Sequence, residues 1–252
     1  MLDRKTNLPF TIGAKSDRGR KRRRNEDYFG VFEPENEGLT ESRGVLAVLA
    51  DGMGGHFSGG EASRMAVEVM GEIYFKAAEN AAKALESAFV SANNEVFARV
   101  GDGKNGVAGT TLTAVALFPD AFIIAHAGDS RVYLARPGRM DQLTKDHSLV
   151  GEMMHKGLLG REEARNHPKR NIITRAAGLR ENVEPDIDGP VPFLSGDRIL
   201  ICSDGLSSML SDGEIAAILL SKDPAAACKA LVDMANEKGG DDNTTVIVAM
   251  RD

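Results

Sequence analysis

Residues 44–55, GVLAVLADGMGG, run from an apolar stretch directly into a carboxylate and a glycine-rich turn. The aliphatic residues at 45–50 predict a buried strand. Asp51 and Gly52 follow at once, so the carboxylate lies at the rim of the core. There burial disfavours its charge unless a cation or a hydrogen-bond donor compensates.

The same pattern of strand, aspartate and turn recurs elsewhere in the chain. Asp129 ends the stretch FIIAHAGD and Asp204 ends RILICSD, while Asp242 and Asp27 stand just before the apolar stretches NTTVIVAM and YFGVF. Carboxylates are the ligands of hard ions such as Mg²⁺ and Mn²⁺. Aspartate followed by glycine is also ordinary turn chemistry. The residues by themselves therefore leave a metal site and a set of structural turns both open.

The remaining pattern favours a layered α/β protein of one domain. Further strands are expected at 10–17, 110–118 and 131–136, and turns such as FPDA and RPGR favour antiparallel hairpins. Helical periodicity covers 59–77, 81–101, 211–222 and 223–240, and residues 144–178 mix helix with loop. Helices in pairs and strands in hairpins argue against alternating βαβ units and a Rossmann-type sheet.

Composition excludes several classes of protein. No apolar run approaches the roughly 18 residues of a membrane span, and the two cysteines, Cys202 and Cys228, have the character of reduced core thiols. We therefore expect a soluble, cytoplasmic protein without a membrane partner. The net charge of -6 argues against nucleic acid as a partner.

One segment departs from that acidic balance. Residues 18–27, RGRKRRRNED, place six basic side chains in seven positions before Glu26 and Asp27. A nucleic-acid tail, a solvated charge run and part of a chemical site are three interpretations of this pattern.

Eight short motifs, in this order and spacing, resemble the bacterial branch of the metal-dependent type 2C protein phosphatases. They are RxxNED (22–27), DGMGGH (51–56), GTT (109–111), GDSR (128–131), TKDHS (144–148), ARNHPKRNIITRAAG (164–178), CSDGL (202–206) and DDNTT (241–245). The resemblance covers about residues 10 to 250. It implies a four-layer αββα sandwich, with two mostly antiparallel β-sheets flanked by helix pairs. It also implies a single phosphatase domain over 1–252 with a flap subdomain at about 145–178.

The resemblance implies a site for two Mn²⁺ or Mg²⁺ ions. Asp51 resembles the carboxylate that bridges both ions, and Gly52 matches a residue that offers its backbone carbonyl. Asp204 and Asp242 match ligands of the other ion, and Asp129 with Asp204 matches a possible third site.

Glu26 and Asp27 match residues that act mainly through metal-bound waters, and Arg22 matches the arginine that grips the substrate phosphate. The five carboxylates of this implied site carry five negative charges, and two divalent ions supply four positive charges. A neighbouring guanidinium would offset the remaining negative charge and donate hydrogen bonds to a phosphate dianion. The candidate catalytic residues are thus Arg22, Asp51, Asp204 and Asp242.

The implied activity is hydrolysis of phosphoserine and phosphothreonine in proteins by direct attack of a metal-bridging water. We expect a monomer that acts on phosphoproteins, those of a cognate bacterial Ser/Thr kinase. A stress-pathway regulator is a variant of this interpretation. A pseudophosphatase that only binds phosphoproteins is the alternative from another class, and a nucleic-acid binder is the third.

Several positions depart from the family pattern or remain open. Met53 stands where many eukaryotic relatives have a proposed general acid, and Ser208 stands where some relatives have an aspartate. His56 and His126 are expected to be structural, and His147 is expected to anchor a loop. Basic side chains between 148 and 175 either help to recruit phosphoproteins or are merely solvated. These are Lys156, Arg161, Arg165, His167, Lys169 and Arg170.

Overall fold

The computed structural model describes residues 1–6, 8–34, 37–54, 58–100 and 108–252. Within these ranges the strands are β1 (Leu2–Lys5), β2 (Phe10–Asp17), β3 (Asp27–Phe32), β4 (Val45–Met53), β5 (Gly109–Thr110), β6 (Leu112–Leu117), β7 (Ala121–Ala127), β8 (Arg131–Arg136), β9 (Arg139–Gln142), β10 (Asp186–Pro192), β11 (Arg198–Cys202) and β12 (Thr244–Arg251). The helices are α1 (Glu37–Arg43), α2 (Ser58–Lys76), α3 (Ala81–Val100), α4 (Leu149–His155), α5 (Arg161–Asn166), α6 (Asp204–Ser207), α7 (Asp212–Ser221) and α8 (Pro224–Glu237).

The strands form two antiparallel sheets that pack face to face. One sheet has the order β1-β2-β12-β11-β8-β9, and the other has the order β10-β7-β6-β4-β3, with β5 paired to β4. Strand β4 shows why its sequence is apolar at consecutive positions. Val45, Ala47 and Leu49 face the other sheet, while Leu46 and Val48 face the helices. A strand buried on both faces needs no polar alternation.

Helices cover both outer faces of this sandwich. Helices α2 and α3 pack on the sheet of β4 through side chains such as Met70 and Phe89. Helices α7 and α8 pack on the other sheet through Leu219 and Leu231. The predicted four-layer αββα sandwich is therefore confirmed.

Edge strands account for most of what the pattern missed. Strands β1, β9 and β10 lie at the edges of the two sheets. Their sequences, LDRK, RMDQ and DIDGPVP, lack an apolar run. An edge strand tolerates polar residues and proline because one side of its backbone pairs with no other strand.

Helix α7 begins with a complete capping box. The Ser211 side chain accepts a bond from the Glu214 N–H, and the Glu214 carboxylate accepts the Ser211 N–H. Both cysteines are free and buried. None of the helices in the described ranges combines the length and the apolar character that a membrane span requires.

Residues 145–178, called the flap here, contain α4 and α5. The Ser148 side chain accepts the Gly151 N–H and caps the start of α4. That these residues form a separate subdomain of one phosphatase domain stays a prediction.

Candidate active site

Two of the predicted carboxylates face each other across neighbouring strands. Asp27 begins β3 and lies directly opposite Asp51 in the β3–β4 register. Asp27 is only 6% exposed. Its Oδ2 accepts a 2.8 Å hydrogen bond from the hydroxyl of Ser203, the residue before Asp204. This bond joins the end of β11 in one sheet to β3 in the other, so the two sheets meet at this rim.

Five aspartates form one electrostatic group, called the carboxylate cluster here: Asp27, Asp51, Asp129, Asp204 and Asp242. Burial and then the charges of the four others raise the pKa of Asp51 well above its usual value. Burial, with the Asp204 charge, raises the pKa of Asp27 to about 7. Burial and the Asp242 charge raise the pKa of Asp204 to about 6. The folded chain thus gathers negative charge that calls for a cation.

The donor atoms of this cluster fit a hard divalent ion. Oδ1 of Asp27 and Oδ1 of Asp204 are both buried, and neither has a hydrogen-bond partner in the described part of the chain. No three His, Cys, Asp or Glu side chains among the described residues converge closely enough to hold an ion by themselves. Mg²⁺ and Mn²⁺ suit such a set, because they prefer oxygen ligands and Mg²⁺ commonly retains several waters.

Arg22 supplies the positive charge at the edge of the cluster. Its Nη2 lies 2.5 Å from Oδ2 of Asp242. The bond to Asp242, assisted by the charges of Asp204 and Asp51, raises the pKa of this guanidinium. Roughly half of the Arg22 side chain is exposed, so it borders both the carboxylates and solvent. The basic segment is therefore not a detached tail at this residue.

Asn243 holds that segment in place, and the sequence interpretation gave it no role. Its Nδ2 donates to the carbonyls of Arg18 and Arg24, both at 2.8 Å. Its Oδ1 accepts the Glu26 N–H at 2.8 Å. The Gly240 carbonyl also accepts the Arg20 and Lys21 N–H groups. Its place in the motif DDNTT before β12 was a signal in the sequence, but its bonding partners could not be found that way, because they lie more than 200 residues away in the chain.

The GTT motif fixes the backbone of Asp51. The Thr111 hydroxyl accepts the Asp51 N–H, and the Thr110 hydroxyl donates to the Asp51 carbonyl, both at 2.9 Å. A Cβ at Gly52 would lie 2.2 Å from the carbonyl oxygen of Gly59 at the start of α2. Glycine is therefore required for α2 to approach β4 this closely.

Glu26 is tied to the same place through its main chain. Its carbonyl accepts the Gly52 N–H at 3.2 Å and the Ser63 hydroxyl at 2.5 Å. These bonds bring the backbone of Glu26 beside Gly52. The roles predicted for the Gly52 carbonyl and for the Glu26 side chain as metal partners stay predictions.

The cluster opens on its Asp129 side into a cavity of about 450 Å³. Burial and then the charges of Asp204 and Asp146 raise the pKa of Asp129 well above its usual value. Asp146 also forms a two-oxygen ion pair with Arg131, at 2.7–3.2 Å. Ser208, which stands where some relatives have an aspartate, lines the same cavity.

His126 and His147 are structural in their contacts. His126 is buried, bonds to Thr113 through Nδ1, and burial lowers its pKa to about 4. His147 Nδ1 accepts the Gly128 N–H, so its Nε2 carries the proton that faces Asp186 at 3.0 Å. His147 thereby anchors the first residues of the flap. His56 lies outside the described residues.

Comparison with known proteins places this geometry in a family. The family model for protein phosphatase 2C matches residues 18–238. A serine/threonine phosphatase of Listeria innocua is 39% identical over 245 residues, which is 94% of each chain.

Solved structures agree with that match. The serine/threonine phosphatase PstP/Ppp of Mycobacterium tuberculosis has 35% identity and a TM-score of 0.84, and the alignment covers 96% of this chain and 99% of that one. The catalytic domain of PstP, solved with two manganese ions, has 34% identity and a TM-score of 0.82 over 96% and 97% of the chains. Sequence, fold and cluster agree, and the chain belongs to the protein phosphatase 2C family.

Proposed function

We propose that this protein is a protein serine/threonine phosphatase that uses Mn²⁺ or Mg²⁺ to hydrolyse phosphoserine and phosphothreonine. The observation that carries the proposal is the carboxylate cluster with Arg22 at its edge. A phosphate dianion would not approach five carboxylates without bound cations, and the described part of the site offers the oxygen donors to bind them.

Bound divalent ions would supply Lewis-acid activation of a water nucleophile and neutralise negative charge. We assign the ion-binding oxygens to Asp51, Asp204 and Asp242, with the Gly52 carbonyl. Glu26 and Asp27 would contact the bound ions through water molecules and not directly. Asp129 with Asp204 is the place for a third ion, and Ser208 offers that place a hydroxyl in place of a further carboxylate.

The other site groups position rather than react. Thr110 and Thr111 hold the Asp51 backbone, and Ser203 holds the Asp27 carboxylate in one orientation. Arg22 can turn its fork of donors to a phosphate, since its side chain is half exposed and lies next to the cluster. Met53 carries no titratable proton, so protonation of the leaving oxygen falls to water at the site.

Hydrolysis of para-nitrophenyl phosphate with Mn²⁺ tests this function. We expect Asp51→Asn and Asp204→Asn, which keep the size of the side chain, to lower kcat by about 100-fold or more. Asp120→Asn is the matched control, because Asp120 is an exposed aspartate in the turn before β7. Its kcat should equal that of the parent protein.

A parent protein that binds a phosphoserine peptide but shows no Mn²⁺-dependent turnover would replace this proposal with the pseudophosphatase interpretation. A parent protein that retains DNA with a steep salt dependence would favour the nucleic-acid interpretation instead. Equal turnover by Asp51→Asn and the parent would remove Asp51 from the reaction.

We further infer a monomeric, cytoplasmic enzyme whose substrates are the products of a cognate Ser/Thr kinase. The two free, buried cysteines support a reducing compartment. The kinase follows from the chemistry, because phosphoserine and phosphothreonine in proteins arise by transfer from a nucleotide. Proteins whose phosphorylation rises when this protein is deleted would identify the substrates. Light scattering after gel filtration would measure the mass in solution.

A further inference from the structure

Among the described side chains, Arg165 of the flap hydrogen-bonds to the segment that follows Asp204. Arg165, near the end of α5, donates from Nη2 to the carbonyl of Ser207 at 3.1 Å and also to the carbonyl of Leu210. Ser207 is the last residue of α6, the short helix that Asp204 begins. Carbonyls at the end of a helix lack partners within the helix, and a guanidinium satisfies them well.

This contact closes one side of the 450 Å³ cavity beside Asp129 and Asp204. Val150, Met154 and Ala164 contribute an apolar wall from the flap, and Ser207 and Ser208 stand on the facing side. A volume of this size lies within the range of small-molecule sites and is enough for one or two side chains.

We propose that Arg165 is a positioning residue that fastens the flap to the end of α6, so that the cavity binds the residues flanking the phosphorylated serine or threonine. The proposal rests on the proposed function and deepens it. The side-chain bonds of Arg165 in the described part of the chain go to backbone carbonyls and not to the carboxylate cluster. Arg165 determines how well a polypeptide is bound, and the cluster determines how fast the ester is cleaved.

The neighbourhood of Arg165 supports a fastening role. Its backbone carbonyl accepts a bond from Arg170 Nη1 at 2.9 Å, which ties α5 to the following turn of the flap. Lys169, in the same turn, is exposed, and its backbone N–H bonds to His167 Nδ1. Lys169 thus offers a control that removes one positive charge from the flap and leaves the contact with α6 intact.

Steady-state kinetics with two substrates test the proposal: a phosphothreonine peptide of about ten residues, and para-nitrophenyl phosphate, which has no flanking residues. We expect Arg165→Ala to raise KM for the peptide about tenfold with kcat within about twofold. Its kcat/KM for para-nitrophenyl phosphate should stay within about twofold of the parent. Arg165→Lys, which keeps the charge but reaches fewer carbonyls, should have an intermediate KM, and Lys169→Ala should match the parent.

Two results would overturn the proposal. An unchanged peptide KM in Arg165→Ala would show that the contact does not serve binding. A parallel loss with both substrates and a lower Tm, not relieved in Arg165→Lys, would show a purely structural role. Failure of the parent protein to cleave para-nitrophenyl phosphate with Mn²⁺ would instead refute the proposed function, so the two failures are distinct.

Discussion

Two loops border the carboxylate cluster, and they are held in different ways. The basic loop at 18–27 is fixed through its backbone by Asn243, a side chain that is 5% exposed, and by the Gly240 carbonyl. The flap at 145–178 is fixed at its tip by an arginine that remains partly exposed to water. Losing a bond of the buried Asn243 amide is costly, because it leaves an unpaired polar group, whereas water can replace a bond made by the exposed Arg165 side chain.

This difference suits two tasks in one site. The basic loop carries Arg22 and leads into Asp27, whose positions relative to the cluster must stay constant for chemistry. On the role proposed for Arg165, the flap contacts the residues that flank the phosphorylated side chain, and these residues vary between substrates. One side of the site is therefore built to be rigid and the other to be adjustable.

Removing Asn243 should break the rigid side. Asn243→Ala leaves the Glu26 N–H and the carbonyls of Arg18 and Arg24 without their partner, so we expect the free energy of unfolding to fall by about 3 kcal/mol. We also expect kcat/KM for para-nitrophenyl phosphate to fall at least about tenfold, because Arg22 and Asp27 lose their fixed frame. Urea unfolding and steady-state kinetics measure the two effects.

Asn243→Asp sharpens this test, since it keeps an acceptor for the Glu26 N–H but loses both donated bonds. Its loss of stability should exceed that of Asn94→Asp, a change at an exposed position of α3. If Asn243→Ala were as stable as the parent, the conclusion that Asn243 holds the basic loop in place would be wrong.

Within the basic loop, Arg22 and its neighbour Arg23 should differ strongly. Arg22→Ala removes the guanidinium that lies 2.5 Å from Asp242, and we expect KM for a phosphopeptide to rise about tenfold or more. Arg23 is exposed, and Arg23→Ala should change KM by less than about twofold. Equal effects on KM would mean that the segment acts only as a general positive charge.

The sequence predicted the parts of this site that depend on local pattern. Asp51 and Asp204 were found because an apolar run ends at each, and Arg22 was found through the family motif. The roles of Ser203 and Asn243 escaped, because they arise where loops about 180 to 220 residues apart meet. No periodicity in one segment encodes the position of another.

The fold shows the same division. Strand β4 was readable because both of its faces are buried, whereas β10 was not, since an edge strand accepts Gly189 and Pro190 without an apolar pattern. Arg165 appeared in the sequence as one of six basic residues of the flap. The structure distinguishes Arg165 from Lys169, because the packing of α5 near α6 lets Arg165 bond to the Ser207 carbonyl.

The carboxylates beside the basic loop should make the metal-free protein sensitive to pH. Burial and neighbouring charge raise the pKa of Asp27 to about 7 and that of Asp204 to about 6. These groups stay protonated in the folded chain at pH values where they have already ionised in the unfolded chain. Their contribution to stability is therefore fully present below about pH 4 and is lost as pH rises toward about 7.

In EDTA we therefore expect Tm to fall by roughly 5 °C between about pH 5 and pH 8, and we expect Mn²⁺ to reverse the fall. Asp204→Asn should flatten the dependence, while Asp120→Asn should leave it unchanged. A Tm in EDTA that is constant or rises over this interval would show that the cluster does not repel itself in the folded chain.

The smallest effect should come from loosening the base of the flap. Asp186 on β10 bonds to His147 near the first stem of the flap and to Arg175 near the second. Although burial opposes it, these two bonds lower the pKa of the Asp186 carboxyl. We expect Asp186→Asn to lower the free energy of unfolding by only about 1 kcal/mol, since the pair is partly exposed.

The informative readout is local, because a loosened base should let the flap open while the sandwich stays folded. Hydrogen exchange should quicken in α4 and α5 of Asp186→Asn and stay unchanged at 18–27. Asp188→Asn, an exposed change on the same strand, should leave both regions as in the parent. Faster exchange in both loops would mean that the two sides of the site open together, and the contrast between a rigid and an adjustable side would then be wrong.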